Sequence, residues 1–121
     1  MRGGEETRII VDAAEKSGEV LAITTVSLFE LLSPLYHRRL HRDESVVRAF
    51  ARQAVHLGLD FPAAEQASKI MGSLLRLGEP INALDVLICG IAISNNVNHL
   101  VTSDRDFERV EKVAEIKIKY I

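Results

Sequence analysis

Residues 82–94 read Asn82-Ala83-Leu84-Asp85-Val86-Leu87-Ile88-Cys89-Gly90-Ile91-Ala92-Ile93-Ser94, and after four more residues the chain continues His99-Leu100-Val101-Thr102-Ser103-Asp104-Arg105-Asp106-Phe107. The first run is apolar nearly all round a 3.6-residue period. It predicts a helix over 82–94 buried on most of its surface, with Asp85 alone carrying charge in its first turn. The second run opens with a compact apolar segment that predicts a strand over 99–102 and goes on to a helical turn over 104–110. A strand, a turn rich in carboxylates and a buried helix, each short and close in sequence, are the parts of an α/β sheet end.

Reading outward keeps the alternation. Downstream, Ile116, Ile118 and Tyr120 alternate with polar residues and predict a terminal strand over 116–121. Upstream, Gly78-Glu79-Pro80 is a turn, and a helix over 63–77 is expected with Pro62 in its first turn, where the missing N–H costs little. A short strand is expected over 57–61. Before it, a helix over 43–56 turns Val46, Val47, Phe50, Ala54 and Val55 inward and stops at Gly58. Val26, Phe29, Leu32, Leu35 and Tyr36 share a face of another helix, which Pro34 should kink or interrupt. Residues 20–23 suit a brief buried strand. Residues 5–17 carry Ile9, Ile10, Ala13 and Ala14 as the stripe of a helix ending at Gly18. Helices alternating with strands imply parallel pairing, so the expected fold is three-layer α/β, a short parallel sheet flanked by helices on both faces.

With 121 residues the chain has room for one domain, 1–121, and its 47% hydrophobic and 26% charged residues exclude disordered, collagenous and disulfide-stapled classes. The longest apolar run, 86–93, is far short of the roughly 20 residues that span a bilayer. No secretory signal pattern opens the chain, and the single Cys89 has no partner for an internal disulfide, so a cytoplasmic location is expected. A net charge of −2 gives no global case for nucleic acid. Locally, His37-Arg38-Arg39-Leu40-His41-Arg42 is basic enough to meet phosphates, with a solvated helix end as the alternative.

Three acidic positions stand at helix starts or strand ends: Glu30, Asp85 and the Asp104-Arg105-Asp106 group. Carboxylates converging on one cleft suit Mg2+ or Mn2+, hard cations that take oxygen ligands. Each acid also has a local alternative. Ser27 and Glu30 have capping-box spacing, Asp85 fits a first helical turn after Asn82, and Asp104 fits the cap of the next turn.

Around those acids the chain resembles the PIN-domain ribonucleases of the VapC toxin type. The family's second acid lies in a segment like Ala22-Ile23-Thr24-Thr25-Val26-Ser27-Leu28-Phe29-Glu30-Leu31-Leu32. Its third opens a buried helix as in Ile81-Asn82-Ala83-Leu84-Asp85-Val86-Leu87-Ile88. Its fourth lies in a signature like Thr102-Ser103-Asp104-Arg105-Asp106-Phe107. The resemblance implies a metal-dependent endoribonuclease toxin of a toxin–antitoxin pair that uses Mg2+ or Mn2+. Glu30, Asp85 and Asp104 would be catalytic and, with Asp106, would hold the metal, while Thr102 supports them; independently of the resemblance, Arg38, Arg39 and Arg42 of the basic run are the expected RNA contacts. It further implies a homodimer with an antitoxin partner. The family's opening strand ends in an aspartate placed further ahead of the glutamate than the 29 residues available here. The expectation is therefore an N-terminally short PIN-like domain whose first acid is missing unless Asp12 replaces it. The alternative function is a catalytically incomplete PIN fold that dimerises or binds an antitoxin.

Overall fold

The computed structural model describes Asp12 and residues 16–121, in two compact units, Met1–Leu57 and Gly58–Ile121. The helix expected over 5–17 lies mostly outside the described residues. Lys16 and Ser17 are helical, Gly18 follows with φ +72°, and Asp12 is helical and exposed.

The first unit contains β1 (Ala22–Thr24), α1 (Thr25–His37), α2 (His41–Gln53) and β2 (Val55–Leu57). The strands pair in parallel, with Ala22 opposite Val55 and Thr24 opposite Leu57. Helix α1 runs through Pro34 unbroken, in place of the expected interruption. Proline lacks only the N–H that would reach Glu30's carbonyl one turn back, and the flanking turns hold, Arg38 donating to Pro34's carbonyl at 3.0 Å. Of the apolar stripe expected on this helix only Leu35 is fully buried, and Phe29 is 61% exposed. The stripe is wider than α2 and β1 of this unit cover. Helix α2 stops at Gln53, short of the expected 56, because Ala54 turns extended and Val55 donates to Leu21's carbonyl at 3.0 Å, entering the strand pair. Pairing with β1 overrides the helical pattern of 54–56 and moves the strand up from 57–61.

The second unit contains α3 (Phe61–Leu77), α4 (Ala83–Ser94), β3 (Leu100–Thr102), a 3-10 turn (Arg105–Phe107), α5 (Glu108–Glu111) and β4 (Ile118–Tyr120). Asp60 caps α3, its Oδ1 accepting from the Ala63 N–H at 3.0 Å, and Gly78 ends the helix at φ +70°, the left-handed conformation that costs glycine least. Helices α3 and α4 pack backbone to backbone. A Cβ on Gly90 would lie 2.5 Å from the Ala63 carbonyl oxygen and 2.7 Å from the Ala67 Cβ. The core joins Ala67, Ile70 and Leu74 of α3, Val86 and Cys89 of α4, Ile81, Phe107 and Val110. Strands β3 and β4 are parallel, Thr102 facing Tyr120 across the register. The parallel α/β class expected from the sequence is thus present, its described strands forming two two-stranded sheets. No helix among the described residues is long and apolar enough to cross a membrane.

Candidate functional site

Two segments of the second unit bring the acids together. Asn82 caps α4, its Oδ1 accepting from the Leu84 N–H at 2.9 Å, which sets Asp85 in the first turn of a helix whose next residue, Val86, is buried. At the exit of β3 the Thr102 hydroxyl accepts from the Asp104 N–H at 3.1 Å, and Asp104 Oδ1 accepts from the Asp106 N–H at 2.9 Å. Phe107, buried directly after, anchors this turn in the core. Asp104 therefore does cap the turn, as its local alternative held, while Asp104 and Asp106 stay exposed.

Partial burial, then the charges of Asp104 and Asp106, push the Asp85 carboxyl above its usual range. Burial, with Asp85 one turn away, pushes the Cys89 thiol up to about 12, so it is an inert packing group.

Glu30 belongs to the first unit, half-buried on α1. Its capping-box alternative does not hold. Thr24 is the N-cap, its Oγ1 accepting from the Ser27 N–H at 2.9 Å, so the helix starts at Thr25 and Glu30 stands in the second turn. The basic group lies where α1 ends. Arg38 is the C-cap, Arg39 adopts φ +55°, and Arg38, Arg39 and Arg42 are exposed without an ion pair among the described residues.

Sequence reasoning missed the supports of the acidic turn. Arg105 lies 4.4 Å from the centroid of the Tyr120 ring and pairs with Glu108 at 3.1 Å, and the Tyr120 hydroxyl donates to Glu111 at 2.7 Å. Arg109 donates to the Pro80 carbonyl at 3.1 Å and Lys112 to Glu79 at 2.8 Å, tying α5 to the loop that leads into Asp85. Only the three-residue spacing of Glu108 and Glu111 hints at this in the sequence.

An oxygen-only donor set with a desolvated carboxylate fits a hard divalent cation chemically. Among the described residues, however, no three His, Cys, Asp or Glu side chains already form a group able to hold a metal ion.

The PIN domain family matches residues 1–113. The chain is 30% identical over 91 residues to the tRNA(fMet)-specific endonuclease VapC of Shigella flexneri, spanning 74% of this chain and 69% of that protein. Its fold matches the VapBC2 complex of Rickettsia felis bound to promoter DNA (TM-score 0.77, 18% identity, 91% of this chain and 83% of that one). It also matches DNA-bound VapBC of Salmonella typhimurium (TM-score 0.72, 25% identity, 92% and 83%). The chain belongs to the PIN-domain family, to its VapC type of toxin–antitoxin nuclease.

Proposed function

We propose that this chain, as a single PIN-like domain acting in the cytoplasm, is a divalent-metal-dependent endoribonuclease toxin held in check by an antitoxin. The observation that carries the reading is the partly buried Asp85 carboxyl, raised by its burial and then by the charges of Asp104 and Asp106 from the turn after β3. Asp85, Asp104 and Asp106 are the residues of the second unit that would hold Mg2+ or Mn2+, and Glu30 of the first unit is the further acid that the family resemblance implies. A bound cation supplies activation of water and stabilisation of the leaving oxygen of a phosphodiester. Thr102 fixes the backbone of Asp104, and the exposed Arg38, Arg39 and Arg42 meet the RNA backbone as fork donors to phosphate. The named relative makes tRNA the first RNA to try. Antitoxin and homodimer partners fit the large apolar side chains left at the surface, Phe61 at 77% exposure among them. Sedimentation of a lone 13.4 kDa species at micromolar concentration would remove the homodimer.

A second reading, a catalytically incomplete PIN fold that binds partners, is favoured by the lack of a ready three-membered ligand group among the described residues. Calorimetric titration of Mn2+ and an assay of single-stranded RNA cleavage, on the wild type and Asp85→Asn, separate the two. The nuclease reading expects saturable binding and cleavage, both lost in the variant. Absence of both in the wild type leaves the binding module.

A further inference from the structure

We propose that Tyr120 is a positioning residue for the acidic turn: its ring holds the Arg105 guanidinium and so keeps that cation off the carboxylates of Asp104 and Asp106, which flank it in sequence. Arg105 is one residue from each, and an arginine side chain is long enough to fold back on either. Its guanidinium instead lies 4.4 Å from the Tyr120 ring centroid, with Nη1 3.1 Å from Glu108 Oε1. A planar, delocalised cation stacks on an aromatic face where an ammonium would stay hydrated.

The ring is itself fixed. β4 sets Tyr120 opposite Thr102, two residues before Asp104, and the Ile121 N–H donates to the Thr102 carbonyl at 3.1 Å. The Tyr120 hydroxyl donates to Glu111 at 2.7 Å. Glu108 and Glu111, three residues apart on α5, thus take the arginine and the tyrosine respectively, and Phe107 and Val110 root the segment in the core. Held on the Tyr120 ring and Glu108, the guanidinium is kept from folding back on the two carboxylates that flank it in sequence.

The experiment uses the full chain with Tyr120→Phe, Tyr120→Leu, Arg105→Gln and the Tyr120→Leu/Arg105→Gln pair. In metal-free protein the Arg105 side-chain NMR signals should be shifted by the ring in the wild type and in Tyr120→Phe. In Tyr120→Leu they should move to a position that becomes sensitive to Asp104→Asn or Asp106→Asn. Signals without a ring shift in the wild type, or indifferent to those carboxylates once the ring is gone, overturn the proposal. This arm stands without any metal. The second arm rests on the metal-binding reading above and titrates Mn2+. Tyr120→Leu should weaken binding by about tenfold through the freed cation, and adding Arg105→Gln should restore it to within about twofold, a coupling that a double-mutant cycle isolates. No restoration means the loss was one of packing, which also overturns it. Arg105→Gln alone, at a side chain 70% exposed, should fold and leave Mn2+ affinity unchanged. Tighter binding there would place Arg105 on the carboxylates already and overturn the proposal. A wild type that takes up no Mn2+ defeats the metal reading, and the NMR arm then decides alone.

Discussion

Asp85 holds its proton more tightly than an ordinary aspartate, first because it is partly buried and then because Asp104 and Asp106 oppose its charge. The folded state therefore binds more protons than the unfolded chain in the range between the ordinary carboxylate value and the raised one, and stability falls as pH rises through that range. At neutral pH the ionised group is a net cost. Asp85→Asn keeps the shape and removes the charge, so it should raise the melting temperature at neutral pH, with the gain shrinking as pH is lowered towards the ordinary carboxylate range. Thermal melts of both proteins across that range check it. A variant less stable than the wild type at neutral pH would mean that the carboxylate makes favourable contacts outweighing the repulsion. The position was legible in the sequence because an acid in the first turn of an all-apolar helix has little else to do than cap or bind. Its perturbation was not, since that depends on where β3 delivers Asp104.

At the scale of elements, what decides the second unit is how closely α3 and α4 approach. Gly90 leaves no room for a Cβ, the nearest atoms being backbone and a short alanine side chain that cannot move aside. Gly90→Ala gains helix propensity, about 1 kcal/mol at a solvent-exposed site. Forcing the helices apart costs about 1–3 kcal/mol for overpacking. The second term should win, and the urea midpoint should fall with an unchanged slope. A stabilised variant would show that the pair relaxes freely. The helices, the cap at Asn82 and the parallel strands follow from local patterns, so these were readable, whereas Asp60 was expected inside a strand over 57–61 and caps α3 instead. The misplaced element was β2. Val55 continues a helical stripe, and only pairing with Ala22–Thr24 makes it extended. Thr24 rather than Ser27 caps α1 for the same kind of reason, because strand β1 ends there and its last side chain is the one facing the free N–H groups. The Arg105–Tyr120 stack was unreadable since fifteen residues and a strand register separate its members.

Across the whole molecule the charges nearly cancel, so any attraction to RNA has to come from local concentration of charge. The end of α1 provides it. Arg38 and Arg39 lie where the helix carbonyls stop and Arg42 opens α2, all three exposed and none taken by a carboxylate among the described residues. By contrast Arg48, Arg105 and Lys112 are each paired with a glutamate. A cation already paired releases little counterion from a nucleic acid, because its own carboxylate competes for it. Unpaired arginines release the full share, about 0.7 in the logarithmic salt slope per phosphate contact on a single strand. Replacing Arg38, Arg39 and Arg42 by alanine should therefore flatten the salt dependence of RNA binding by about 2, three contacts at that value, and weaken binding uniformly across sequences. Neutralising Arg48 should leave the slope nearly unchanged, which makes it the internal control. The measurement is the dissociation constant of a single-stranded RNA over a series of salt concentrations with metal absent, so that cleavage cannot intervene. If the triple variant keeps the wild-type slope, the three arginines are a solvated helix end that complements the dipole of α1, and RNA is gripped elsewhere on the molecule.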